Sequence, residues 1–224
     1  MIGQFRYQDR AHAGRVLSEA VAELHIQNPI VLGLPRGGVP VAAEVARQLA
    51  VPMDVLIVRK IGAPFNPEYG IGAICEDLVP VMSAQFFLPV EDIEEDVAEI
   101  IENEKRELSR RIKLYRGDRK LPLLKNQTVI LVDDGLATGV PASAAGKYVK
   151  SMGAKLVILA VPVGPQHRSS LLTKSVDQVV CPYTPSGFSG VGNWYFHFSQ
   201  VSDDEVIQVL NQFHPREAPG LSLT

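Results

Sequence analysis

Two adjacent carboxylates, Asp133 and Asp134, directly follow an apolar run at residues 129–132. Four consecutive β-prone apolar residues predict a strand that is buried on both faces of a parallel sheet. Open α/β sheets bind their ligands at the carboxyl ends of such strands. Because two neighbouring carboxylates can accept hydrogen bonds from two neighbouring hydroxyl groups, this pattern predicts a loop that holds the diol of a ribose.

The residues after the acidic pair are mostly small. Gly135, Ala137, Thr138 and Gly139 carry little side chain, so their backbone N–H groups can approach an anion closely. A helix predicted just after them adds the positive end of its dipole. A plain turn, in which an aspartate caps that helix, is the alternative, but such a turn does not require the Ala-Thr-Gly sequence. We therefore predict a ribose 5-phosphate site.

The segment VILVDDGLATG resembles the phosphoribosyl-pyrophosphate (PRPP) loop of the type I phosphoribosyltransferases. That family's pattern is an apolar strand, two acidic residues, two or three small or apolar residues and then Thr-Gly. Residues 58–73 and 187–206 resemble segments of a bacterial subgroup whose acceptor is unassigned. In one departure, Val140 and Pro141 occupy the place where the family usually has a Ser or Thr, and proline has no N–H to donate. We therefore expect one phosphate donor to be missing.

A second glycine-bearing turn, Pro35-Arg36-Gly37-Gly38, follows the first predicted strand. Arg36 offers a planar fork of donors for a phosphate, and the two glycines expose backbone N–H groups at the start of the next helix. An ordinary strand-to-helix turn is the alternative. The resemblance makes this segment the family's pyrophosphate loop, in which an unusual backbone conformation aims an N–H group at the ligand.

Arg59 and Lys60 are predicted at the end of the second strand, beside the same crevice, where they add positive charge for a pyrophosphate. A solvated strand end is the alternative. The resemblance implies that the catalytic residues are Arg36, Lys60, Asp133 and Asp134. It implies that PRPP is bound by a larger set: Arg36, Gly37, Gly38, Arg59, Lys60, Asp133, Asp134, Gly135, Leu136, Ala137, Thr138 and Gly139.

Strands that alternate with helices predict an α/β fold with a parallel sheet and right-handed crossovers. The apolar runs predict a five-stranded sheet in the flavodoxin-like order 2-1-3-4-5, with strands at residues 29–34, 53–58, 128–133, 155–163 and 176–181. In that order the chain reverses direction between the first and third strands, and the ligand crevice lies at this switch point. The two glycine-bearing loops should meet there. The resemblance implies the same sheet, in the type I phosphoribosyltransferase fold.

The whole chain, residues 1–224, is predicted to form a single phosphoribosyltransferase-like domain. An insertion at 61–120 is expected to contain a Gly- and Pro-rich mobile loop at 61–69, a hairpin and a long helix at 91–116. Closure of that loop would exclude water from the site. Residues 182–224 are expected to form a C-terminal aromatic flap and a helix that begins at a capping box of Ser202 and Glu205.

Three residues are candidates for the acceptor side. In the family the acceptor base lies against a flap, often stacked on an aromatic ring, so Phe188 and Trp194 are candidate platforms; a lid over the core is the alternative. Stacking contributes about 1 to 3 kcal/mol per base in nucleic-acid complexes. Glu68 lies in the predicted mobile loop and could act on an incoming nucleophile, although an exposed loop carboxylate fits the sequence equally well.

The composition of the chain excludes several classes of binding partner. A net charge of −3 and a pI near 6.0 give no basic field of the kind that nucleic-acid binding requires. No apolar stretch reaches the length of a membrane span. Cys75 and Cys181 form no CxxC pair and the histidines have no metal spacing, so neither a disulfide framework nor a protein metal site is predicted. We expect a cytoplasmic protein with small-molecule partners, PRPP and a base-like acceptor; the oligomeric state stays open, a homodimer included.

The resemblance implies transfer of ribose 5-phosphate from PRPP to a nitrogenous acceptor, with release of pyrophosphate and with Mg²⁺ arriving with PRPP. A non-catalytic protein that senses PRPP or a nucleotide on the same fold is the alternative, and Pro141 favours it modestly. A P-loop nucleotidase and a Rossmann dinucleotide binder are excluded, because neither GxxxxGK[ST] nor GxGxxG occurs.

Overall fold

The computed structural model describes residues 5–83, 94–167 and 169–214. Its helices and strands, numbered in chain order, are α1 (Arg10–Ala22), β1 (Ile30–Gly33), α2 (Gly38–Leu49), β2 (Met53–Val55), β3 (Arg59–Ala63), β4 (Asn66–Ile74), β5 (Pro80–Met82), α3 (Glu94–Arg116), β6 (Thr128–Val132), α4 (Val140–Ser151), β7 (Leu156–Ala160), α5 (Ser170–Ser175), β8 (Gln178–Val180) and α6 (Asp203–Phe213). None of the described helices is long and apolar enough to cross a membrane.

Five parallel strands form the central sheet in the order β2-β1-β6-β7-β8. When these strands alone are counted along the chain, the order is 2-1-3-4-5, so the predicted flavodoxin-like topology is confirmed. β1 lies between β2 and β6, with Gly33 opposite both Val55 and Val132. The three strands therefore end level with one another, and the loops that follow β1 and β6 leave the sheet at the same edge.

The apolar run of β6 is explained by burial of both faces of the sheet. Ile130 and Val132 belong to the core cluster that includes residues of α2 and α6, whereas Val129 and Leu131 belong to the cluster that includes residues of α4 and α5. Successive side chains of a strand point to opposite faces. A strand between two covered faces is therefore apolar throughout rather than alternately polar.

The segment after β2 differs from its prediction. β2 ends at Val55, and residues 59–69, expected as a strand end and a mobile loop, belong to the antiparallel pair β3–β4, which spans 59–74. The glycines and prolines that suggested a loop lie instead at irregularities of a strand pair. The register shifts on both sides of Gly62, where a Cβ atom would lie 2.4 Å from the carbonyl oxygen of Pro67. The predicted hairpin is confirmed, since Gly72 of β4 pairs with Met82 of β5.

The last turn of α3 anchors this hairpin to the sheet. Arg116 is buried, forms an ion pair with Glu76 and donates to the carbonyl oxygen of Val55 at 3.1 Å. Its neighbour Tyr115 donates to Asp203 Oδ1 at 2.5 Å, at the start of α6. The helix itself is confirmed, although residues 91–93 of its predicted extent lie outside the described residues.

The C-terminal part of the chain returns to the N-terminal part. Tyr7 forms a parallel bridge with Tyr195, and both side chains are buried together with Trp194 in a small third cluster. The capping box predicted at the start of α6 is confirmed, because the Ser202 hydroxyl accepts the Glu205 N–H and the Glu205 carboxylate accepts the Ser202 N–H. The division into one domain with an insertion at 61–120 and a flap region at 182–224 stays a prediction.

Candidate functional site

The two glycine-bearing loops meet, as the strand order predicts. A Cβ atom on Gly37 would lie 1.9 Å from Oδ2 of Asp134, and one on Gly38 would lie 2.8 Å from the Cα atom of Asp133. Neither position therefore has room for a side chain. Glycine is needed here for close approach, which brings the acidic pair against the loop that follows β1.

The loop after β1 has the unusual backbone that the resemblance implies. The peptide bond between Pro35 and Arg36 is cis. The N–H of Gly38 donates to the carbonyl oxygen of Leu34 at 3.0 Å, and its contact with a ligand stays a prediction. Within the described ranges the N–H of Gly37 has no acceptor. The Arg36 guanidinium lies 3.7 Å from a carboxylate oxygen of Asp203. This loop therefore carries a cation whose contact with Asp203 an anionic ligand could replace.

Asp133 is hydrogen-bonded to the neighbouring strand β7 of the sheet. Its N–H donates to the Ala160 carbonyl oxygen at 3.3 Å, and its Oδ1 accepts the N–H of Asp134 at 2.8 Å. Burial raises the pKa of Asp133 well above its usual range, and the charge of Asp134 adds to the shift. The ionised form of Asp133 is therefore disfavoured by burial and by the neighbouring negative charge.

Asp134 is held by residues from both ends of the chain. Its Oδ2 accepts a hydrogen bond from Arg10 Nε at 2.8 Å, and its carbonyl oxygen accepts one from the Tyr195 hydroxyl at 2.6 Å. Burial raises the pKa of Asp134, while Arg10 opposes that shift. Neither partner is predicted from the sequence. No local signal marks Arg10, whereas Tyr195 lies in the aromatic stretch that the sequence singles out.

Residues 135–139 differ in burial and in the hydrogen bonding of their N–H groups. Leu136 is buried, and its N–H donates to the Val163 carbonyl oxygen at 2.8 Å; its contact with PRPP stays a prediction. Ala137 and Thr138 are exposed, and Gly139 has the positive φ of 74° that lets it begin α4. Among residues 5–83, 94–167 and 169–214 the N–H groups of residues 137–139 donate no hydrogen bond. These three groups at the start of α4 are therefore available to an anion.

The departure from the family pattern, at Val140 and Pro141, directly follows this segment. Pro141 is in the first turn of α4, where its ring is tolerated but supplies no N–H. Gly135 is covered by Val191, whose Cγ1 would lie 2.4 Å from a Cβ atom on the glycine. The residue next to the acidic pair is thus in direct contact with the C-terminal part of the chain.

Arg59 and Lys60 do not end β2 but begin β3. Arg59 Nε pairs with Glu104 Oε2 of α3 at 2.6 Å. Both basic residues line a cleft of about 560 Å³ between the β3–β4 pair and α3, together with Pro64 and Asn103. Sequence spacing alone places them wrongly, because β2 ends at Val55, before the apolar run does.

The candidate acceptor residues differ in their surroundings. Trp194 is only 2% exposed and packs against Tyr183, which favours the lid over the core; stacking of an acceptor base on its ring stays a prediction. Phe188 is half-buried against the same cluster. β4 contains Glu68 within a strand rather than a mobile loop, and its side chain lies outside the described part of the structure.

The described residues contain no group of three His, Cys, Asp or Glu side chains placed to hold a metal ion. Cys75 and Cys181 do not form a disulfide bond. The acidic pair nevertheless supplies carboxylate oxygens, the type of ligand that Mg²⁺ prefers.

Comparison with known proteins agrees with this geometry. The family model of the phosphoribosyl transferase domain matches residues 6–192. Two Mycobacterium tuberculosis proteins, from strains CDC 1551 and H37Rv and both named provisionally as phosphoribosyl transferases, are 44% identical over 211 residues, 93% of this chain. The chain spans 47% of the length of those relatives. The crystal structure of TT1426 from Thermus thermophilus is 38% identical and superimposes with a TM-score of 0.76 over 93% of this chain and 99% of that one. The chain therefore belongs to the type I phosphoribosyltransferase family.

Proposed function

We propose that this protein transfers ribose 5-phosphate from PRPP to a nitrogenous acceptor and releases pyrophosphate. The observation that carries the proposal is the packing of Asp133 and Asp134 against Gly37 and Gly38 at the switch point of the sheet. Carboxylates that accept hydrogen bonds from hydroxyl groups and N–H groups that donate to anions then lie within one crevice. This arrangement suits a ligand that carries a ribose diol between two phosphate groups.

In this proposal each loop has a distinct task. The two carboxylates accept hydrogen bonds from the ribose hydroxyl groups and hold the ring while its reacting carbon gains oxocarbenium character. The N–H groups of residues 137–139 and the dipole of α4 bind the 5-phosphate. Arg36 lies on the diphosphate side, where its charge would stabilise the departing pyrophosphate. The nucleophile forms the new bond to the ribosyl carbon as the bond to pyrophosphate breaks.

Mg²⁺ is expected to arrive with the diphosphate and to keep mostly water and substrate oxygens as ligands. Asp133 and Asp134 offer oxygens of the right kind on the same edge of the sheet. When bound, the ion would offset negative charge on the leaving group. The residues of this chain would orient the ribose and the phosphate around it.

A second function is favoured by one observation. Pro141 removes a donor from the first turn of α4, where the phosphate would bind. A protein that binds PRPP or a nucleotide without turnover would tolerate that loss more easily than an enzyme. Both functions place PRPP in the same crevice, so binding alone does not separate them.

The deciding experiment measures pyrophosphate release from Mg-PRPP with a panel of purines, pyrimidines and other amines. The enzyme proposal predicts steady release with at least one acceptor, and a variant carrying both Asp133→Asn and Asp134→Asn should show neither release nor binding. Replacement of two exposed carboxylates, Asp96→Asn with Asp118→Asn, is the matched control for the change in charge. Saturable PRPP binding without release on any acceptor would instead support the sensing protein.

A further inference from the structure

Arg10 connects three parts of the molecule that are distant in sequence. Its Nε donates to Asp134 Oδ2 at 2.8 Å, across 124 positions of the chain, and its Nη1 donates to the Ser199 carbonyl oxygen at 2.7 Å. Its guanidinium also lies over the ring of Phe198, 4.0 Å from the ring centroid. A guanidinium can make all three contacts at once because its donors lie at the edge of a plane whose face remains free for an aromatic ring.

The aromatic residues complete a closed circuit around Asp134. The rings of Phe198 and Tyr195 lie 4.9 Å apart, and the Tyr195 hydroxyl donates to the Asp134 carbonyl oxygen at 2.6 Å. Val191 covers the adjacent Gly135. Residues 191–199, which we call the flap segment, therefore contact both the backbone and, through Arg10, the side chain of the acidic pair.

We propose that Arg10 is a positioning residue that couples the flap segment to Asp134, so that the carboxylate is aligned for the ribose diol only while the flap segment is seated. This inference rests on the proposed function, because it assigns Asp134 to PRPP. The contact with Ser199 transmits the position of the flap segment, and the contact with Asp134 transmits that position to the site.

The location of Arg10 in α1 supports a functional reason for its presence. Asp9 caps the helix by accepting the N–H of His12, which makes Arg10 the first helical residue. A cation at a helix N-terminus opposes the helix dipole, so local helix energetics do not favour arginine here. Local rules are commonly broken at functional sites, where a distant contact provides the compensating gain. Here that contact is Asp134.

The charge balance of the acidic pair also favours a role for Arg10. Two neighbouring carboxylates in one crevice repel each other, and the guanidinium of Arg10, whose Nε lies 2.8 Å from Asp134 Oδ2, offsets part of that repulsion. Arg10 and Asp134 have side chains that are only 11% and 15% exposed, so solvent screens their interaction weakly. A lysine would keep the charge, but its single nitrogen cannot reproduce the planar contacts with Asp134, Ser199 and Phe198 together.

The test compares Arg10→Met and Arg10→Lys with the wild-type protein in calorimetric titrations with Mg-PRPP. Arg6→Met is the matched control, because Arg6 is exposed and lies over Phe196 rather than beside Asp134. We expect Arg10→Met to weaken PRPP binding about 10- to 100-fold, as the loss of one hydrogen bond to a charged group predicts. We expect Arg10→Lys to fall between Arg10→Met and wild type.

A further readout separates positioning from a general loss of structure. In Arg10→Met the amide hydrogen exchange of residues 195–199 should accelerate relative to wild type. Equal affinities in Arg10→Met and Arg6→Met, or tighter binding in Arg10→Met, would overturn the inference while leaving the proposed function intact. Wild-type protein that binds no Mg-PRPP would overturn the proposed function and the inference with it.

Discussion

Replacing Gly37 with alanine should destabilise the protein, although the backbone at this position suits alanine. Gly37 has φ −61° and ψ −34°, the ordinary right-handed helical region. A Gly→Ala change at such a position normally stabilises a protein by about 0.4 to 1 kcal/mol, because it restricts the unfolded chain. The sign is reversed here because the new Cβ atom would lie 1.9 Å from Asp134 Oδ2.

The size of the effect follows from what must move. Asp134 cannot keep its hydrogen bond to Arg10 with a methyl group in that place, and a hydrogen bond to a charged group contributes about 1.5 to 3 kcal/mol. Subtracting the gain of about 0.4 to 1 kcal/mol leaves a net loss of about 0.5 to 2.5 kcal/mol. For a protein of this size each kcal/mol lowers Tm by about 2 to 4 °C. Displacement of Asp134 should also weaken Mg-PRPP binding about 10- to 100-fold.

Thermal unfolding and calorimetric titration of the same preparations measure both effects. Gly190→Ala is the control, because Gly190 is extended and a Cβ atom there meets nothing nearer than Asn193 Nδ2 at 3.9 Å. That variant should unfold at or above the wild-type temperature. A Gly37→Ala protein that is as stable as Gly190→Ala and binds PRPP normally would show that the acidic pair does not pack against this loop in solution.

Three other predictions test separate parts of the molecule. Pro141→Thr should restore a donor and tighten ribose 5-phosphate binding about 2- to 10-fold in calorimetry; no gain would show that the departure is harmless. Because burial raises the pKa of Asp133, folding favours its protonated form and stability is lost as pH rises above the usual range of aspartate. Asp133→Asn should therefore raise Tm at pH 7 and not below about pH 4, and a pH-independent difference would contradict this. Arg116→Met leaves Glu76 buried without its partner and should cost about 3 to 5 kcal/mol in denaturant unfolding, whereas Arg106→Met, at an exposed position of the same helix, should have little effect.

The sequence predicts the central sheet and the meeting of its two loops because those features have local signatures. β6 is apolar throughout since both of its faces are covered, and the carboxylates begin where that burial ends. The order of the strands then places Gly37 and Gly38 against Asp133 and Asp134. No long-range information beyond the alternation of strands and helices is needed for this step.

The sequence fails where a contact has no local pattern or where one pattern has two meanings. Arg10 reaches Asp134 across 124 positions, and nothing in the neighbourhood of either residue marks the pair. Glycine and proline between residues 61 and 69 punctuate loops, but they also permit the irregular register of β3 and β4. An aromatic run near the C-terminus suits a lid over the core more often than a stacking platform, and the burial of Trp194 favours the lid.

The surroundings of Asp133 suggest which part of a ligand contributes most to binding. Asp133 accepts one hydrogen bond, from the N–H of Asp134, and its ionised form is otherwise poorly compensated. Buried anions are costly unless donors surround them, so hydroxyl groups of a bound ribose would relieve a cost that a phosphate alone cannot. Ribose 5-phosphate should therefore raise Tm more than 2-deoxyribose 5-phosphate at equal concentration, because only the former provides both donors. Equal shifts would mean that the N–H groups of residues 137–139, through their contact with the phosphate, dominate binding and that the acidic pair does not hold the diol.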